Sequence, residues 1–303
     1  IQPNSDGSAP ATGTLSSATG NIGIGKDVFK ALTGGTENVV IGYNAGSAFT
    51  AVDKTVIIGS GACSTENMAT ETDGTLAIGY NSLKSLKNAK FNTAVGFNTL
   101  KNCRGDTAGS ANHNLGAYNT AIGYCALENE VGEDVGYKNT AIGCYALKDS
   151  SGSRDNTAIG YNAGANITTG DYNTFIGRGA GEYTTDVDKT VIIGHAAGYD
   201  NMTSAADGTV IIGSGAGAAI TSGPENIAIG FEAMKTNIDS GRNTAVGYQS
   251  LYSMTKESGD SDASGNTAIG WRSGYKLRYG QHNTCIGYNA GPMIHPLGWW
   301  DAS

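Results

Sequence analysis

The 303-residue chain is poor in proline and in charge and has no long apolar run. Five prolines beside 46 glycines, with no Gly-X-Y period, exclude collagen, and isoleucine, valine and alanine recurring every few residues exclude a disordered linker. That leaves repeated turns between short strands. Only 15% of residues are charged and the net charge is −8, which opposes a surface built to displace counterions from phosphates. Nucleic acid is not an expected partner. No stretch approaches the roughly 20 apolar residues of a membrane-spanning helix, and no basic start with a hydrophobic stretch marks a signal peptide, so no membrane insertion is expected. The first residue, Ile1, suggests a processed product or a piece of a longer chain.

Cys63, Cys103, Cys125, Cys144 and Cys285 fall at different phases of the repeat described next. They therefore do not stack into a disulfide ladder and show no paired metal-ligand spacing. They read as free thiols.

What dominates the sequence is a repeat. A glycine preceded by Ile or Val occurs at 25, 42, 59, 79, 96, 123, 143, 160, 177, 194, 213, 230, 247, 270 and 287, giving fifteen copies. Nine of the fourteen intervals are 17 residues and the others are 19, 20, 20, 23 and 27, so 17 is the shortest path around one coil and the excess is insertion. We number each coil from the residue four before this glycine, which is Asn in eleven copies and Thr at 55, 75, 190 and 209. Position 4 is always Ile or Val and position 3 is often Ala, an alternation that predicts a strand with apolar residues on both faces. A strand apolar on both faces is normally covered on both, which predicts an oligomer, a trimer about a long axis. Position 6 is aromatic in nine copies, including Tyr43, Tyr80, Tyr161 and Trp271. A weaker apolar position at Leu32, Phe49, Leu86, Ile167, Ile220 and Leu277 predicts a second, weaker strand.

These features predict an all-β fold, a parallel β-solenoid of about fifteen 17-residue coils spanning 21–291. Residues 1–20 form a linker or entry strand, and 292–303 form an apolar cap or tip carrying Trp299 and Trp300. At about 4.8 Å per coil the stack would be on the order of 70 Å long. Like side chains would then lie above one another. Asn38, Asn119, Asn139, Asn156 and Asn173 would form an amide column, Ile122, Ile142 and Ile159 a dry seam, and Gly123, Gly143 and Gly160 the turn. The five insertions, in 63–75, 100–119, 127–139, 198–209 and 251–266, share one edge and are the natural place for recognition loops.

Catalytic patterns are thin. Gly213-Ser214-Gly215-Ala216-Gly217 is in phase with every other coil and precedes no predicted helix, so it is no phosphate loop. His113, His195, His282 and His295 lack zinc-protease spacing, and no serine sits in a nucleophile elbow. Acidic residues at Glu128, Glu130, Glu133 and Asp134, or Asp260 and Asp262, could supply a carboxylate pair for glycoside hydrolysis but read as solvated loop charge. No metal and no cofactor are expected. Tyr43, Tyr80, Tyr161, Trp271, Trp299 and Trp300 are the candidate glycan contacts.

The motifs Asn119-Thr120-Ala121-Ile122-Gly123 and Asn156-Thr157-Ala158-Ile159-Gly160-Tyr161-Asn162-Ala163-Gly164 resemble two groups of extracellular fibres. One is the head of trimeric autotransporter adhesins, whose related repeats form a parallel β-roll; the other is the shaft of bacteriophage tail fibres and tailspikes. The resemblance spans residues 21–291 and implies a homotrimeric virion fibre for host attachment, bound to other tail proteins and to a host-surface glycan or protein. Many such phage fibres resemble precursors with a C-terminal intramolecular chaperone that cuts itself off behind a serine, which would account for the ending Asp301-Ala302-Ser303, as would a boundary cut from a longer chain. The alternatives are a bacterial surface adhesin and a capsule or lipopolysaccharide depolymerase.

Overall fold

The computed structural model describes residues 18–65, 72–87, 89–103, 116–129, 136–254 and 263–291. In each repeat, positions 2 to 4 form a three-residue strand, and nearly everything else is turn. The chain divides into two compact units, Ile1–Asp155 and Asn156–Ser303.

The first unit holds β1 (Ile22–Ile24), β2 (Val39–Ile41), β3 (Val56–Ile58), β4 (Leu76–Ile78), β5 (Thr93–Val95), β6 (Thr120–Ile122) and β7 (Thr140–Ile142). Each pairs in parallel with the next, and like positions face one another, as in Thr120↔Thr140, Ala121↔Ala141 and Ile122↔Ile142. The second unit holds β8 (Thr157–Ile159), β9 (Thr174–Ile176), β10 (Val191–Ile193), β11 (Val210–Ile212), β12 (Ile227–Ile229), β13 (Thr244–Val246), β14 (Thr267–Ile269) and β15 (Thr284–Ile286). It is paired in the same way throughout. The fold is a β-solenoid of parallel strands, one strand per coil. The insertions, such as those between Gly59 and Gly79 and between Gly96 and Gly123, do not shift the register, because like positions pair across them.

The strand stops at position 5 because that glycine takes φ between 124° and 143° in every coil. A Cβ there would also strike the next coil, reaching 2.5 Å from the Gly143 carbonyl oxygen at Gly123 and 2.5 Å from that of Gly177 at Gly160. Both constraints select glycine. Further positive-φ residues follow at positions 7 and 9, such as Asn162 (55°) and Leu147 (47°), so the return path is a run of turns. Consequently, among the described residues, the expected weaker second strand is not formed. Its apolar residues are nevertheless buried, with Phe49, Ile167 and Ile220 fully enclosed.

Three positions fill the interior of a coil, and in at least eight coils the volumes at positions 3 and 9 trade off, whereas Ala158 with Gly164 and Ala268 with Gly274 are small at both. Where position 3 is Ala77, Ala94, Ala121 or Ala141, position 9 is Leu83, Leu100, Leu127 or Leu147, all fully buried. Where position 3 is Val40, Phe175, Ile192 or Ile211, position 9 is Gly46, Gly181, Gly198 or Gly217. The reason is contact. A Cβ on Gly181 would sit 2.5 Å from the Phe175 ring, and one on Gly217 would sit 2.8 Å from Ile211 Cδ1 and 3.0 Å from Ile220 Cδ1. Interiors pack at crystal density, so a large side chain at one position excludes one at the other. The 19-residue coil obeys the same rule: a 3-10 turn at Ser204–Ala206 takes up the extra length and buried Met202 supplies the remaining volume beside Gly198.

Candidate ligand-contact surface

Alternation puts position 3 inside and position 4 outside. Ala121, Ala141 and Ala158 are fully buried, whereas Ile122, Ile142 and Ile159 are 37–39% exposed. The isoleucine column expected as a dry seam is therefore a ridge on the outer wall of a single chain. Position 3 faces in whatever its size, since Val40, Phe175, Ile192 and Ile211 are as fully buried as the alanines.

The asparagine column is internal, and its chemistry is side chain to backbone. The Oδ1 of Asn119 accepts the Asn139 backbone N–H at 2.9 Å while its Nδ2 donates to the Gly136 carbonyl at 3.1 Å. Asn38 and Asn139 each donate to the corresponding carbonyl of the return path, those of Val52 and Ser153. In the second unit Asn156 Oδ1 accepts from the Asn173 N–H at 2.9 Å, and Asn173 Oδ1 accepts from the Thr190 N–H at 2.9 Å and its hydroxyl. Asn119, Asn156 and Asn173 thus each satisfy two backbone groups that a three-residue strand leaves over. Threonine has one side-chain polar atom and uses it in two ways: Thr55 and Thr190 donate to Asn38 and Asn173 of the column, whereas Thr75 and Thr209 donate to the carbonyls of Thr72 and Ala206 three residues before them.

A second ladder escaped sequence reasoning. Asp53, Asp73, Asp188 and Asp207 stand two residues before Thr55, Thr75, Thr190 and Thr209, so every position-1 threonine has an aspartate at that offset. Their carboxylates accept backbone N–H bonds from the preceding coil: Asp53 to Asp73 at 2.8 Å, Asp171 to Asp188 at 2.7 Å and Asp188 to Asp207 at 2.8 Å. The signal was the repeated Asp-x-Thr, legible once position 1 is aligned.

The aromatic column is exposed, and most of its ring faces are occupied by one another. In the first unit Tyr80 stacks on Phe97 (centroids 5.1 Å, planes 21° apart) and Phe97 on Tyr124 (5.3 Å, 10°). In the second, Phe231, Tyr248, Trp271 and Tyr288 stack successively with planes 7–11° apart, and the Arg272 guanidinium lies 4.5 Å from the Trp271 centroid. Trp271 is covered on both faces and cannot stack on a sugar without breaking the column. Tyr43 and Tyr161 are exposed at 58% and 47%. Trp299 and Trp300 lie outside the described residues. The Tyr124 hydroxyl, hydrogen-bonded to Cys125 and Tyr145, is pushed up to about 12, and that of Tyr199 is pushed up to about 12 by its hydrogen bond with Tyr183.

Of the other sequence candidates, Glu128 accepts from Asn98 and lies 3.5 Å from Lys101 Nζ, so this carboxylate is tied into the coil surface. Glu130, Glu133, Asp134, Asp260, Asp262, His113 and His295 fall outside the described residues. His195 meets Arg178 at 2.8 Å on the surface. Among the described residues no cluster of His, Cys, Asp and Glu could hold a metal, and no helix is long and apolar enough to cross a membrane. All five cysteines are free thiols; burial raises those of Cys63 and Cys285 and pushes Cys125 up to about 11, helped by its Glu128 hydrogen bond. No family model matches the chain, nor does any curated protein or solved structure.

Proposed function

We propose that the chain is the shaft of a homotrimeric bacteriophage tail fibre that holds the virion against its host, with a surface glycan or protein as the receptor. The observation that carries this reading is the outward ridge at position 4, where Ile122, Ile142, Ile159 and Ile269 keep 37–41% of their surface exposed. A parallel sheet is stable when both of its faces are covered, and this one has an apolar outer face with nothing on it. A second copy of the same chain is the partner that fits: its ridge has the same spacing, so apolar residues meet apolar residues at every coil. Three copies close such contacts around an axis. The repeated Asn-Thr-Ala-Ile-Gly motif and its likeness to fibre shafts favour the extracellular, virion-borne setting.

Light scattering on the purified chain should give three times the 30.9 kDa chain mass. Ile122→Glu combined with Ile142→Glu should reduce it to monomer with the solenoid's circular dichroism retained. Fluorescently labelled trimer should then bind intact cells of a susceptible bacterium and leave the surface glycan at its original length. A monomer at every concentration, or shortened glycan, would remove the fibre reading.

A further inference from the structure

The aromatic column in the first unit is interrupted at one coil. Position 6 reads Tyr43, Ser60, Tyr80, Phe97 and Tyr124, and position 7 beside it reads Asn44, Gly61, Asn81, Asn98 and Cys125. Both columns lose their side chain at the same coil, that of β3. The backbone is not interrupted: Gly61 donates to the Tyr43 carbonyl at 2.9 Å and Asn81 to the Ser60 carbonyl at 3.1 Å. The gap is therefore made by side chains alone.

Its dimensions follow from the rest of the column. Successive rings sit 5.1 and 5.3 Å apart where every coil supplies one, so each coil step admits one ring thickness. With Ser60 in place of a ring, Tyr43 and Tyr80 are two coil steps apart rather than one, which leaves a slot one ring high in the column. Tyr43 is 58% exposed and Tyr80 49% exposed, and Tyr80 has a ring partner, Phe97, on its far side. The flank of the slot is polar. Asn81 Oδ1 lies over Gly61, where a Cβ would approach it to 2.6 Å, and Asn44 stands on the other side with φ 59°. Ser60 provides a hydroxyl at the floor.

Two aromatic faces, a hydroxyl floor and amides along one edge are the complement of a ring that is apolar on its faces and hydroxylated at its rim. We propose that this slot binds a single pyranose unit, inserted between Tyr43 and Tyr80 so that it completes the column, with its hydroxyls on Ser60, Asn44 and Asn81. A unit seated between two rings of one column has a neighbour above and below it, so it enters as the terminal residue of a branch. The proposal rests on the adhesive reading given above and assigns it a receptor class and an address.

The test is Ser60→Tyr, which puts into the slot the side chain that the column carries elsewhere. The variant should fold and melt at or above the parent temperature, since the new ring stacks on both neighbours. Saturation-transfer NMR of the full chain with methyl glycosides of glucose, galactose, mannose and N-acetylglucosamine should show transfer to ring C–H protons of at least one. That transfer should fall about tenfold or more in Ser60→Tyr and in Tyr43→Ala, and stay unchanged in Ser214→Tyr, the equivalent change in the second unit. No transfer from any of the four, undiminished transfer in Ser60→Tyr, a lowered melting temperature for that variant, or transfer to indole but to no glycoside would each overturn it. Cell binding separates the two levels of the argument: parent and Ser60→Tyr binding cells equally well sinks the slot alone, whereas glycoside transfer by a chain that binds no cells sinks the attachment role alone.

Discussion

Glycine at position 5 is the residue on which the coil depends. Gly160 has φ 139° and its missing Cβ would lie 2.5 Å from a carbonyl oxygen, so Gly160→Ala should cost about 3 kcal/mol or more, read as a shift in the denaturant midpoint. The interior pair makes a sharper claim. Ala77→Ile should overpack its coil and Leu83→Gly should leave a cavity, while the double variant, which copies the pattern of Ile211 and Gly217, should recover most of the loss, with a coupling of about 1–3 kcal/mol in a double-mutant cycle. Simple additivity would sink the volume rule. Thiol chemistry tests burial residue by residue. Cys63 and Cys125 are enclosed and their thiols held protonated at pH 8, while Cys144 is half-buried, so a maleimide probe should modify Cys144 well before either of them in the native chain.

Within the coil, the sequence disclosed the phase and not the facing. Asn or Thr, Ile or Val, and Gly at fixed spacing placed one strand in each of the fifteen repeats, because the glycine marks where every strand stops. Alternation says only that neighbours point to opposite sides and leaves open which side is inside; Ala121 faces in, and the isoleucines expected to form a dry seam lie on the outer wall of the single chain. The second strand was misjudged for a related reason: apolarity at Phe49 or Ile167 reports burial, and the positive φ of the residues between reports the path. The position-6 aromatics were legible as a column, but which ring faces stay uncovered depends on the coils where a ring is missing. The asparagine interior makes its own prediction. Asn156→Ala leaves the Asn173 N–H and the Gly170 carbonyl without their partners, at about 1–3 kcal/mol each, and hydrogen exchange at the Asn173 amide should accelerate far more than at Ile159. Equal acceleration at both would mean the side chain merely fills space.

At the level of the whole molecule, two demands are met by the same short repeat. The inside of each coil is satisfied by its neighbours, through backbone ladders, asparagine and aspartate side chains and shared apolar volume. The outside is left with an apolar ridge and a ladder of aromatic rings, both of which ask for something further. On the reading proposed here the ridge is met by sister chains and the gap in the ladder by the receptor. Charge on the ridge, as in Ile122→Glu with Ile142→Glu, should therefore abolish assembly without unfolding the coils, whereas filling the gap with Ser60→Tyr should leave assembly intact.

The asparagine geometry also gives the chain a direction in time. Asn119 offers its Oδ1 to an amide that is twenty residues later in the sequence, and Asn156 does so for one seventeen residues later. When a ribosome delivers residue 139 or 173, the acceptor it needs has already been made and placed. Each new turn can settle on the last as it emerges, and the unfinished face is always the youngest one.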